Sequence, residues 1–149
     1  MLSAAITVGV IAYHIIIRFL SPVILVACFH KKYVCRNWWF HEHLWEQKLY
    51  HILKVKQWKK AFTYDPSEFS MRVHSLEEIV NNMCHAELVH ELIVVLSFTS
   101  LLFAIPFGSF FVFLITATMA AIFDMSFVIL QRYNRPRVIR LMERKRSDT

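Results

Sequence analysis

Apolar positions fall into three long runs, and polar ones fill the space between the first two. The first run, Leu2 to Phe29, is interrupted by the ionisable groups His14 and Arg18, and Pro22 predicts a kink. The second, Leu88 to Ile105, is apolar apart from His90 and Glu91. The third, Phe110 to Leu130, carries a single acid, Asp124. The last two runs each have about the 20 residues a bilayer crossing needs. Only the uncharged "PFGS" separates them, which makes them an antiparallel hairpin. The first run lacks the basic start and small-residue cleavage site of a signal peptide, so it too is expected to span.

The pattern changes over residues 30–86. "NWWFHEHLWEQKLYHILKVKQWKK" repeats its apolar residues at helical spacing, among cations and Trp. That predicts an amphipathic helix lying on the membrane surface. "TYDPSEF" breaks it, with Asp-Pro as the turn signal. Ser75 then starts a new helix as N-cap, with Glu78 at the capping-box position. The expected fold is an all-α integral membrane protein, a single membrane-embedded domain over 1–149. Its three spans cover about 3–29, 88–105 and 110–130, beside one amphipathic interfacial helix.

Composition agrees. Hydrophobic residues make up 56% of 149, more than a soluble domain of this size can hide from water. Lysine and arginine outnumber the acids 17 to 11. These cations flank apolar runs and form no nucleic-acid motif, so the expected partner is the lipid bilayer and not nucleic acid. Nine Lys/Arg lie in residues 30–86, seven in the tail after Leu130, and none in the turn. By the positive-inside rule residues 30–86 and the C-terminal tail are cytoplasmic, in a multi-pass protein. The three cysteines, Cys28, Cys35 and Cys84, show no paired spacing. Reduced thiols are therefore expected, not a disulfide.

"CHAELVHE", Cys84 to Glu91, is the densest chemical cluster. Glu87, His90 and Glu91 share a helix face. A carboxylate three residues from an imidazole can fix its tautomer and raise its basicity, as a general base needs. The same residues can also form a polar helix end at the interface. Glu87 and His90 have the ExxH spacing of di-iron bundles, but no second ExxH occurs, so no metal is expected. Cys84 reads better as a small filler than as an acyl carrier. Asp124 needs a partner in the membrane, and Arg18 is the expected one, as a structural pair.

The tail motif "QRYNRPR", Gln131 to Arg137, sets Arg132, Arg135 and Arg137 around Tyr133 and Asn134. Such guanidinium groups can snorkel to lipid phosphates, or grip the phosphates of a bound donor. Asn134-Arg135-Pro136 predicts a fixed turn here.

"AELVH" and "QRYNRPR" flanking a membrane hairpin, with "LYHILKVKQWKK" upstream, resemble the glycosyl-4,4'-diaponeurosporenoate acyltransferase family of bacterial staphyloxanthin synthesis. The resemblance covers roughly residues 37 to 146. It implies a membrane O-acyltransferase of the bacterial cell membrane, esterifying a fatty acyl chain onto the sugar of a glycosylated carotenoid or related glycolipid. The donor would be an acyl thioester of coenzyme A or of a carrier protein, and no cofactor is implied. Residue by residue, His90 is the expected base and Glu87 its orienting acid. Asn134 or Tyr133 would stabilise the oxyanion, and Arg132, Arg135 and Arg137 would bind donor phosphates. A membrane adaptor and a metal-dependent membrane oxidase are the alternatives.

Overall fold

The structure is a computed structural model that describes residues 2–28, 35, 38–59 and 70–148. It is helical, with no strand among the described residues. The helices are α1 (Leu2–Cys28), α2 (Leu44–Ile52), α3 (Val55–Trp58), α4 (Leu76–Thr99), α5 (Ala104–Phe107) and α6 (Phe110–Ser147), with short 3-10 turns at Trp38–Phe40 and Ser100–Phe103. Three helical stretches are long and apolar enough to cross a membrane: Ala4–Cys28, Leu76–Phe107 and Phe110–Ser147. The "TYDPSEF" turn lies outside the described residues.

The N-terminus of α4 is capped as expected. The Ser75 Oγ accepts from the Glu78 N–H at 3.3 Å, and Glu78 Oε2 accepts from the Ser75 N–H at 2.8 Å. The hairpin reverses at Gly108 and Ser109, both at positive φ.

Two sequence expectations are corrected. The amphipathic stretch is not one helix: Lys54, at φ +50°, ends α2 and starts α3. "NRPR" is not a turn either, because α6 continues through Pro136 for 38 residues. A proline inside a helix forfeits its own N–H bond and strains the preceding turn. Here a helix with many turns on both sides carries that cost.

The chain forms two compact units. The first comprises residues 1–28 and 88–127, and the second residues 29–87 and 128–149. In the first unit, the buried positions of α1 are Val10, His14, Ile17, Ser21 and Leu25, a stripe at spacings of three and four. On α6 the stripe is Phe113, Ala117, Ala121 and Asp124. Small residues there let helices approach closely, where van der Waals packing is the main attraction in lipid. The opposite faces expose Val8, Ile11, Ile15, Phe19, Ile115 and Ile122, as a lipid-facing surface requires. Ser97 and Ser100 are buried, and their hydroxyls donate to backbone carbonyls of their own helical segment.

The second unit has a small core of Tyr50, Val55 and Leu130, with Trp58, Ile129 and Tyr133 packed against it. A bond between Cys35 and Cys84 closes this unit across a sequence separation of 49 residues. The expectation of three reduced thiols is therefore corrected, since only Cys28 is free. Pairing over that separation leaves no short motif to read, and the fold brings the two Cα atoms to 5.7 Å.

Candidate functional site

Asp124 is 1% exposed on α6 and takes two partners. Arg18 Nη2 on α1 donates to Oδ2 at 2.5 Å. His90 Nδ1 on α4 lies 3.0 Å from Oδ1. α1, α4 and α6 thus meet at one carboxylate. The Arg18 Nη1 also donates to the His14 carbonyl at 3.0 Å, and its guanidinium lies 5.8 Å from the Phe123 ring centre. The His90 imidazole stacks on Phe127, with ring centres 4.7 Å apart and planes 11° off parallel.

These contacts decide what His90 can do. A carboxylate at Nδ1 selects the tautomer that carries its proton there, so the lone pair stands on Nε2. Nε2 has no hydrogen-bond partner among the described residues. Phe127 fixes the ring plane. The arginine offsets the charge of an acid that would otherwise be unpaired at membrane depth. An imidazole held by a buried acid and open at its other nitrogen has the orientation of a general base. His14, buried one helical turn before Arg18, makes no ring-nitrogen hydrogen bond among the described residues.

The carboxylate at His90 is therefore that of Asp124, where Glu87 was expected. The physical reason is that Glu87 is fully engaged elsewhere. It is completely buried, Arg132 Nε donates to its Oε1 at 2.6 Å, and Arg135 Nη1 donates to its Oε2. Arg132 also donates to Glu46 Oε1 at 2.5 Å and to the Trp39 carbonyl at 2.7 Å. Arg135, 3% exposed, also donates to the Phe40 carbonyl at 2.9 Å, and its guanidinium lies 5.1 Å from the Phe40 ring centre. Two acids and two arginines thus neutralise one another inside the second unit. Tyr50 donates to Glu46 Oε2 at 3.0 Å. Burial and the Glu46 charge hold its phenolic proton well above the usual tyrosine range. Glu46 was missed in the sequence because an acid within an amphipathic surface stretch reads as solvated.

The rest of the tail motif is placed differently. Arg137 Nη2 donates to the Tyr133 hydroxyl at 2.7 Å, and its guanidinium lies 4.2 Å from that ring's centre. It has no carboxylate partner among the described residues. Asn134 is half-buried on α6. Cys84 is buried in its bond to Cys35, so it presents no thiol. Among the described residues, no three His, Cys, Asp or Glu side chains converge as a metal site would need.

Each unit also holds a concavity. In the first, a cavity of about 310 Å³ is lined by α1, the 100–107 segment and α6, including Gly9, Val10, Phe103 and Phe113. No charged side chain lines it. In the second, a pocket of about 540 Å³ opens between α2, α3 and α6 and is lined by Lys54, Lys56, Arg137 and Arg140.

The family model for glycosyl-4,4'-diaponeurosporenoate acyltransferases matches residues 36–144, most of the chain. The chain belongs to this family. It is thereby a membrane-spanning acyltransferase of carotenoid biosynthesis, and the match takes in His90, Asp124 and the whole tail motif. Arg18 lies outside the matched residues. No curated protein and no solved structure matches the chain.

Proposed function

We propose that the protein transfers a fatty acyl group from a thioester to a sugar hydroxyl of a glycosylated carotenoid or related glycolipid, in the bacterial cell membrane. The observation that carries this is the His90–Asp124–Arg18 relay in a chain of an acyltransferase family. His90 Nε2 takes the hydroxyl proton as the oxygen attacks the thioester carbonyl. A C–O bond forms, and collapse of the tetrahedral intermediate breaks the C–S bond. The imidazolium then returns the proton to the departing thiolate. Asp124 keeps the ring in the reactive tautomer and stabilises its charged form, and Arg18 holds Asp124 in place.

The apolar cavity suits the acyl chain. Ser100 at its edge stands ten residues after His90, about 15 Å along a helix. That is about half the ~30 Å hydrocarbon core of a bilayer, roughly the reach of one membrane-lipid chain. A chain whose carbonyl is at His90 therefore brings its methyl end to the cavity. Of the three arginines in the "QRYNRPR" motif only Arg137 is left to meet donor phosphates, because Arg132 and Arg135 are neutralised by Glu46 and Glu87. The test is lipid mass spectrometry of a host making glycosylated carotenoid, with the wild-type chain, with His90→Ala and without the chain. An acylated glycolipid that needs both the chain and His90 supports the proposal. Acylation that survives His90→Ala removes the general base assigned here.

A further inference from the structure

The second unit's pocket sorts the chain's cations into two groups. Arg132 and Arg135 are off its lining and face the carboxylates of Glu46 and Glu87 inside the unit. Lys54, Lys56, Arg137 and Arg140 line the pocket, and none has a carboxylate partner among the described residues. Glu42 is the one acid on the lining, and Gln47 donates to it at 3.2 Å. Four cations against one carboxylate leave a concave wall of strongly positive potential, which walls of low dielectric focus on whatever enters.

The wall is also held in place. Arg137 is clamped on Tyr133 by a hydrogen bond and by the ring face. That leaves its other N–H groups for a bidentate contact. Lys54 adopts the left-handed backbone region, uncommon for a residue with a side chain. Two backbone bonds fix it there: its N–H donates to the His51 carbonyl at 3.1 Å, and its carbonyl accepts from Gln57 at 2.8 Å. A backbone cost retained at a pocket lip is a mark of a functional site.

We propose that this pocket binds the phosphates of a nucleotide-thioester acyl donor of the coenzyme A type. The proposal rests on the acyltransferase function and names its donor. Size separates the two donor classes. A pocket of about 540 Å³ lies within the ~300–1,000 Å³ that small ligands occupy. A carrier protein docks through a broad face, roughly 800 Å² on each partner in a stable complex. Clustered, unneutralised, pre-oriented cations recognise the several phosphates of one small molecule.

Phosphate could also come from an anionic lipid headgroup, so the experiment separates the two. Free coenzyme A is titrated onto the full-length protein in nanodiscs of neutral phosphatidylcholine and in nanodiscs containing phosphatidylglycerol. Saturable binding in neutral discs is expected, weakened roughly 10-fold by each of Lys54→Ala, Lys56→Ala and Arg140→Ala. His90→Ala should bind as the wild type does, so binding and chemistry are scored apart. Lys56 and Arg140 are exposed, so their variants are expected to fold, checked by thermal melting. No saturable binding in neutral discs, or binding that the triple variant retains, overturns the proposal. Preference for anionic discs that vanishes in the triple variant, without coenzyme A binding, assigns the pocket to lipid and also overturns it. Acyl transfer from a carrier protein but not from acyl-coenzyme A would do the same while leaving the acyltransferase function intact. Coenzyme A binding without any acyl transfer by the wild type would instead remove the function and keep the pocket.

Discussion

His90 and Asp124, 34 residues apart on the two arms of a membrane hairpin, meet through Nδ1 and Oδ1 at 3.0 Å. If that contact sets the tautomer of the base, Asp124→Asn should lower kcat by roughly 10²–10⁴-fold while leaving the apparent donor KM nearly unchanged. His90→Ala should fall in the same range, and the double variant should lose no more than the worse single one, since the two act as a unit. Steady-state turnover of the three variants checks this. Additive losses would mean that the two residues do not form a dyad.

Glu87 calls for a different outcome. Glu87→Gln leaves Arg135 buried and Arg132 short of a partner. Removing one member of a buried ion pair costs about 3–5 kcal/mol. The variant should therefore show a lower thermal midpoint and poorer expression, and the protein that does fold should turn over near normally. A normally stable Glu87→Gln with a collapsed kcat would return Glu87 to the catalytic machinery.

Chain length should respond to Gly9. A Cβ at this position meets nothing within 4 Å, and the residue lines the apolar cavity. Gly9→Phe should fill that space and shift the esterified acyl groups toward shorter chains, with the reaction otherwise intact. Mass spectrometry of the product lipids reads this directly. An unchanged distribution at unchanged turnover would remove the cavity from the acyl path.

Orientation and the Cys35–Cys84 bond can be settled together. Cytoplasmic thiols are usually kept reduced, whereas the charge asymmetry predicts that residues 30–86 lie inside. A membrane-impermeant thiol reagent outside intact cells should reach Ser109→Cys and miss Ser147→Cys. Cys84 is buried, so its bond to Cys35 should persist: alkylation of acid-quenched, denatured protein should leave both cysteines unmodified until a reductant is added. Labelling of Ser147→Cys from outside with none at Ser109→Cys would invert the protein in the membrane, and Cys35 and Cys84 alkylated without reductant would remove the bond.

Much of the fold could be read from the chain. Run lengths gave the three spans, Ser75 and Glu78 gave the α4 start, and a lone acid gave the Arg18–Asp124 pair. The link from Asp124 to His90 was within reach by counting: His90 lies 18 residues before Gly108 and Asp124 lies 15 after Ser109, so a hairpin brings them nearly level. Helical spacing drew attention to Glu87 instead, because it reports neighbours on one helix and not across two. The Glu46–Arg132 contact, 86 residues apart, and the Cys35–Cys84 bond had no local signal. Pro136 misled because proline's breaking tendency is a propensity, and a long apolar helix can override it.

Arg18 precedes Asp124 by 106 residues, and synthesis runs in one direction. At about 5–20 residues per second, roughly 5–20 s pass between the two emerging from the ribosome. For that interval the first helix must enter or wait at the membrane with its cation uncompensated, and only its flanking apolar residues favour insertion. The counter-charge arrives with the last span. The third helix therefore completes the insertion of the first, and a chain truncated before Asp124 would leave an arginine stranded in lipid, a natural mark for membrane quality control.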